Sequence, residues 1–422
     1  MVYFEKGSPG FALGSEELRA VVFNTLDKLG TREKVLVIPP DFTRFHSRAG
    51  ELTQYIYEYY GDRLTDILPA LGTHFPMTEA EIGKMYPGVP LSLFRVHNWR
   101  EDVVTVGIVP GEYVKEVSEG VVDYPWPAQV NRMLVEGGYD LILSLGQVVP
   151  HEVIGMANYN KNIFVGTGGA EGINKSHFIG ASYGMERIMG RASNPVRKVL
   201  NYASDHFTNH LPIVYMQTVV SPGSDGLQIR GLFIGDDFEC FEKAAALSLR
   251  VNFRMLDREM KKVVVFLDPE EFRTTWVGNK SIYRTRMAIA DDGELIVLAP
   301  GLHQFGEDPG NDLLIRKYGY VPTPKVLKYI AENADLRDSL GVAAHLIHGT
   351  SEGRFRITYC PGHLSQQEIE SVGFRYAALD EMMRKYNPAR LEDGWNEVDG
   401  EEIYYISNPA LGLWAYKERF NG

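Results

Sequence analysis

Three histidines and one lysine, His74, His151, Lys161 and His177, each stand beside a glycine-rich or strand-ending stretch. Imidazoles exchange protons near neutral pH and bind soft metals, and an amine close to them adds a cation, so the set points to an enzyme. The residues lie in LPALGTHFPMTEAE (Leu68 to Glu81) and GQVVPHEVIGMANYNKNIFVGTGGAEGINKSHF (Gly146 to Phe178), preceded by PPDFTRFHS (Pro39 to Ser47). Each also has a plainer reading: a histidine as a structural hydrogen-bonding group, and Lys161 in NYNKN as a surface charge. Their placement in the fold decides between the two.

Short apolar runs alternate with longer segments of helical period, which predicts an α/β protein. Expected strands are Val35 to Pro39, Thr65 to Gly72, Val103 to Val109, Asp140 to Gly146, Pro212 to Val220 and Ile229 to Gly235. A second series runs through Lys262 to Pro269, Glu294 to Pro300, Val342 to Gly349 and Glu402 to Pro409. SRAGELTQYIYEYYG reads as a helix capped by Ser47, with Leu52, Ile56 and Tyr59 on its apolar face, and a second helix is expected from about Asp237 to Met260. A boundary near residue 260 gives domains of 1–260 and 261–422, joined without a Pro/Gly/Ser linker. GTH and VPH then fall just after the carboxyl ends of strands, where open α/β sheets bind ligands, so His74 and His151 are expected to meet there.

The chain has 422 residues, 44% hydrophobic and 23% charged, with a net charge of -12. That length predicts two domains, and the acidic balance without a basic run argues against nucleic acid as a partner. No basic and apolar leader and no bilayer-length apolar stretch is visible, so no membrane partner and a cytoplasmic location are expected. Cys240 and Cys360 are the only cysteines, too few for a disulfide framework or a thiolate metal site. In VGTGGAEG, backbone N–H groups around Gly168 and Gly169 suit a phosphate, although glycine clusters are also ordinary turns. Arg44 suits a phosphate or carboxylate and Asp41 a ribose hydroxyl, the alternative being an ion pair between them.

Asp41-x-x-Arg44, Gly72-Thr73-His74, and the spacing of His151, Lys161 and His177 together resemble the lactate racemase family. That resemblance implies two α/β domains with an interdomain active-site cleft, the cofactor on the first domain and the second closing over the substrate. It implies a racemase or epimerase inverting C2 of a 2-hydroxy acid with a nickel-pincer nucleotide, a nickel pyridinium bisthiocarboxylic acid mononucleotide. The α-hydrogen leaves as hydride to the cofactor while a histidine takes the hydroxyl proton, and a transient 2-keto acid takes the hydride back on its other face. His74 and His151 take the two acid/base roles, His177 the nickel, and Lys161 the tether. Asp41 and Arg44 match a further family element, and cofactor biosynthesis proteins are implied as partners.

The resemblance is looser beyond Met260. Where the family carries tyrosine, glutamine and lysine near the substrate, this chain has SIYRTRM, which makes Tyr283, Arg284 and Arg286 the substrate-binding candidates. The extra arginines point to a 2-hydroxy acid larger or more polar than lactate, a sugar acid or a hydroxy dicarboxylic acid. The residues before Lys161 also depart from the family, MANYN replacing a stretch richer in glycine and serine. Two readings of other classes compete: a metallohydrolase or lyase holding zinc directly on His74, His151 and His177, and a non-catalytic nucleotide-binding protein.

Overall fold

The computed structural model describes residues 1–223 and 226–421, without the side chains of Leu411 and Asn421. The chain divides into two compact units, Met1–Ile179 with Ile188–Asn252, and Gly180–Arg187 with Phe253–Gly422. Both are α/β.

The first unit is built on strands β1 (Val2–Gly7), β2 (Val35–Ile38), β3 (Leu64–Ile67), β4 (Leu141–Gln147), β5 (Ile213–Gly223) and β6 (Gly226–Gly235). Their order is β1-β6-β5-β4-β2-β3. β3, β2, β4 and β5 run parallel, and β6 and β1 add antiparallel neighbours at the β5 edge. All four residues of β2 and the first six of β4 are buried, as parallel strands covered on both faces require. Helix Ser15–Leu29 buries Leu18, Val22, Leu26 and Leu29, an apolar stripe at helical spacing. Helix Ala49–Tyr60 buries Leu52, Ile56 and Tyr60. Tyr59, expected in that stripe, is only partly buried, with its hydroxyl donating to Asp27 at 2.6 Å. The helix is entered through Arg48 at φ 64, and the side chain of the expected cap Ser47 accepts from the Ala49 N–H, at 3.2 Å.

The order of these strands positions the site. From β2 the chain forms β3 on one side, and β4 is later laid on the other, so the topology switches direction at β2. The crevice beyond the carboxyl ends of such neighbouring strands is where ligands of open α/β sheets bind. Asp41 follows β2, His74 follows β3 and His151 follows β4.

Val103–Val109 forms the expected strand and pairs antiparallel with Trp126–Asn131, outside the main sheet. Two expectations need correction. The helix expected to reach Met260 spans Phe238–Asn252 and gives way to strand Phe253–Leu256, which pairs with Leu413–Tyr416, a partner far along the chain that local pattern does not reveal. Val342 to Gly349, expected as a strand, lies in helix Leu340–His348. That run is buried on all sides, so it shows no period, and its two alanines favour helix.

The second unit holds β7 (Met260–Phe266), β8 (Ile289–Ala299), β9 (Arg356–Pro361), β10 (Arg375–Tyr376), β11 (Gly394–Val398) and β12 (Glu401–Ile406), in the order β10-β9-β8-β7-β12-β11. Every pairing is parallel except that of β11 with β12.

Candidate active site

Asp41 is 5% exposed at the start of the 3-10 turn Phe42–Ser47. His74 Nδ1 donates to its Oδ2 at 2.5 Å, and the Thr43 hydroxyl donates to its Oδ1 at 2.5 Å. Burial pushes the Asp41 carboxyl up, but the bond and charge of His74, the Thr43 bond and the charge of Arg44 together hold it below its ordinary value. A carboxylate on Nδ1 keeps the proton of the neutral His74 ring there and leaves the Nε2 lone pair outward, on a side chain 57% exposed. Arg44 makes no ion pair with Asp41, and no hydrogen bond or ion pair holds its side chain among the described residues. The sequence alternatives for Asp41 were a ribose hydroxyl or Arg44. Its partner is His74.

The loop carrying His74 is tied to the segment after Lys161. Gly72, at φ 57, donates its N–H to the Gly166 carbonyl at 2.8 Å, a backbone conformation that glycine adopts at little cost. Lys161 precedes one π-helical turn, Asn162–Gly166, and His177 lies in the helix Ala170–Tyr183 that follows. Burial and the charge of Arg44 lower the Lys161 amine to about 8, with Glu152 and Asp41 opposing. Burial also lowers His177, helped by the charges of Lys161 and His74 and opposed by the Ile173 hydrogen bond and Glu152. These mutual effects place Asp41, Arg44, His74, Glu152, Lys161 and His177 in one neighbourhood.

The two remaining imidazoles are set in opposite tautomers. His177 Nδ1 donates to the Ile173 carbonyl at 2.7 Å, so its Nε2 carries the lone pair; carbonyl-held Nδ1–H is the usual arrangement of a metal-ligating histidine. His151, buried in the short strand Pro150–His151, accepts the Val153 N–H on Nδ1 at 3.1 Å, so its neutral ring carries the proton on Nε2. Glu152 Oε2 lies 3.8 Å from that same Nδ1.

Gly168 and Gly169 form the turn into the His177 helix. A Cβ on Gly168 would lie 1.9 Å from the Phe164 carbonyl oxygen, a backbone atom, so that position requires glycine; one on Gly169 would lie 2.5 Å from Gln129 Oε1 and would push that side chain aside. His97, absent from the sequence candidates, fixes the turn: its Nε2 donates to the Gly168 carbonyl at 3.0 Å while Asn131 donates to its Nδ1 at 3.0 Å. Buried and neutral, it is structural, and HNW offered no spacing that would have marked it.

Tyr283, Arg284 and Arg286 are buried in the second unit. Arg284 Nη1 reaches the Gly412 carbonyl at 3.5 Å. Arg286 donates to Glu186 at 3.1 Å and to the Thr350 carbonyl at 3.2 Å, and Arg354 shares the same Glu186 carboxylate at 3.0 Å. Among the described residues, no three His, Cys, Asp or Glu side chains gather as a metal-ion ligand set. A zinc ion held directly by His74, His151 and His177 therefore has no ligand geometry here, whereas a group that brings its own donors needs only one.

The sheet, its switch point and the cluster of histidines, Lys161, Arg44, Asp41 and Glu152 beyond it define an α/β protein with a candidate site at the carboxyl ends of its strands. Residues 18–186 match the lactate racemase N-terminal domain. The structure of the lactate racemase apoprotein from Thermoanaerobacterium thermosaccharolyticum is similar with a TM-score of 0.70 at 15% identity, covering 97% of this chain and 94% of that one. The crystal structure of a Thermotoga maritima protein is similar with a TM-score of 0.81 at 24% identity, covering 97% and 99%. Both likenesses are of fold. No curated protein sequence matches the chain, and no helix among the described residues is long and apolar enough to cross a membrane.

Proposed function

We propose that this chain is an isomerase that racemises or epimerises a 2-hydroxy acid at C2, with a nickel-pincer nucleotide as cofactor. The observation that carries the reading is the setting of His177: Nδ1–H held by a carbonyl, Nε2 left with its lone pair, beside a lysine amine lowered to about 8. One imidazole donor suits a nickel whose other donors come from the cofactor. A partly neutral Lys161 suits covalent attachment, Arg44 suits the phosphate or a carboxylate, and the glycine path at 168–169 lets backbone come close. When bound, the cofactor supplies an electrophilic ring carbon able to accept and return hydride.

The protein's own part is to move one proton on the substrate oxygen and to hold the acid in place. His74 Nε2 takes the hydroxyl proton, and the Asp41 carboxylate steadies the imidazolium that results. His151 begins with its proton on Nε2 and donates a hydrogen bond to the same oxygen from another direction; to act as the base it gives up its contact with the Val153 N–H. The arginines of Tyr283-Arg284-Thr285-Arg286 widen the substrate class to sugar acids and hydroxy dicarboxylic acids.

The test is nickel content and intact mass of the protein co-produced with cofactor-making proteins, beside His177→Ala. Near-stoichiometric nickel that is lost in the variant, followed by inversion of a 2-hydroxy acid in deuterated water with the original hydrogen kept, supports the reading. Absence of nickel while a related racemase loads in the same host overturns it.

A further inference from the structure

The first unit holds a cavity of about 510 Å³ at the amino-terminal ends of β4 and β5, reached by Leu141 and Ile213. It therefore opens away from the carboxyl-end crevice, and its size is that of a small-molecule site. Tyr159 and Tyr215 line it, with ring centroids 4.4 Å apart. They are only 6% and 5% exposed, yet among the described residues neither hydroxyl has a hydrogen-bond partner. Neither phenol oxygen is sealed off, so both are open to a polar ligand group that reaches in from the cavity.

The charge of the lining says which group. Asp205, Asp236 and Asp237 border the cavity. Asp236 accepts from the Tyr3 hydroxyl at 2.8 Å, and Asp236 and Asp237 also pair with the Met1 ammonium. Asp205 has no ion pair among the described residues. The one lining guanidinium, Arg32, donates to the Asp140 carbonyl at 3.1 Å and the Leu29 carbonyl at 2.8 Å and leaves its Nε without a partner, a single cation against three carboxylates. Phe238 continues the aromatic wall, and apolar side chains form the floor. Carboxylates, hydrogen-bond-accepting phenols and ring faces around one space attract an ammonium ion, and the apolar floor suits an attached hydrocarbon group.

We propose that this cavity is a second binding site, for an organic ammonium ion carrying an apolar body about the size of one ring. It adjoins the segment that leads to Lys161, because Asn160 donates to Asn201 at 2.8 Å and to Ser204 at 3.0 Å, and both line the cavity. Binding itself needs neither cofactor nor turnover, so it stands or falls apart from the racemase reading.

The test is calorimetric titration of the whole chain with phenethylamine, with 3-phenylpropionate as the anion of similar shape. Saturable one-to-one binding of the amine is expected, weakened at least about fivefold in Asp205→Asn and in Tyr215→Phe, the range of a lost charge-assisted contact. Tyr215→Phe removes a hydroxyl that has no partner in the folded protein, so its melting temperature should not fall, which keeps a binding loss distinct from unfolding. No saturable binding up to about 10 mM, a limit corresponding to negligible affinity, overturns the proposal. So does equal binding of the anion, or unchanged affinity in both variants.

Discussion

The acidity of Lys161 is the sharpest quantity the site offers. Its amine is lowered from the ordinary 10.5 to about 8 by burial and by the charge of Arg44, against Glu152 and Asp41. At pH 7 about one amine in ten is then neutral, against about one in three thousand for an ordinary lysine. Competitive acylation of the protein made without cofactor, read by mass spectrometry across pH, should show Lys161 reacting on the order of a hundredfold faster than exposed lysines at pH 7, after allowing for reagent access. The variants carry opposite signs. Arg44→Ala removes a charge that disfavours the ammonium, so the midpoint should rise by roughly one pH unit; Glu152→Gln removes one that favours it, so the midpoint should fall. A wild-type midpoint near 10.5, or variants that move it the same way, would refute the reasoning.

Asp41→Asn should lower turnover by about 10² to 10⁴ with little change in KM, because the neutral amide no longer steadies the His74 imidazolium; steady-state kinetics decide it. The Asp41 carboxyl is depressed in the folded state, so its stabilisation is present above about pH 4 and is lost as pH falls through the folded value. Urea midpoints measured from pH 6 to pH 3 should therefore fall more steeply for the wild type than for Asp41→Asn. Gly168→Ala forces the Phe164 carbonyl aside and should cost about 2 kcal/mol or more, read as a lower urea midpoint with impaired nickel loading. Asn158→Gly relieves a left-handed residue by about 1 kcal/mol. It also removes the amide that donates to the Gly146 carbonyl at 2.8 Å and accepts from Asn162 at 2.7 Å, buried bonds worth about 1–3 kcal/mol each. Net destabilisation is expected, and a gain in stability would show that backbone strain outweighs those bonds.

The parallel strands of the first unit were legible because β2 and β4 are short apolar runs bounded by turn residues, and buried parallel strands must look so. The site was legible as a set of residue types after strand ends, but not as a set of partners. Nothing in the spacing of Asp41 and His74, 33 positions apart, says that they bond, since that depends on β2 and β3 lying side by side. His97 and Arg197 were invisible for the same reason, their work being hydrogen bonds to carbonyls brought near by the fold. Helix Leu340–His348 was misread because burial on every side erases the periodicity that distinguishes helix from strand.

The segment before Lys161 shows how a chain can keep a backbone path without the residues that make it easy. Asn158 and Tyr159 hold φ of 69 and 58, where glycine carries little penalty and other residues about 1–2 kcal/mol each. Side chains offset that cost. Asn158 spans from the Gly146 carbonyl to Asn162, and the Tyr159 ring packs against Phe241 and Tyr215. Arg197, fully buried, donates to the carbonyls of Met156 at 2.7 Å and Asn158 at 3.3 Å and to the Asn160 side chain, and burial lowers its guanidinium to about 9. A glycine-rich loop would be free to take other paths, whereas this one is fixed by groups that reach into the core and to the wall of the cavity behind it. The position of Lys161 is therefore a property of that packing.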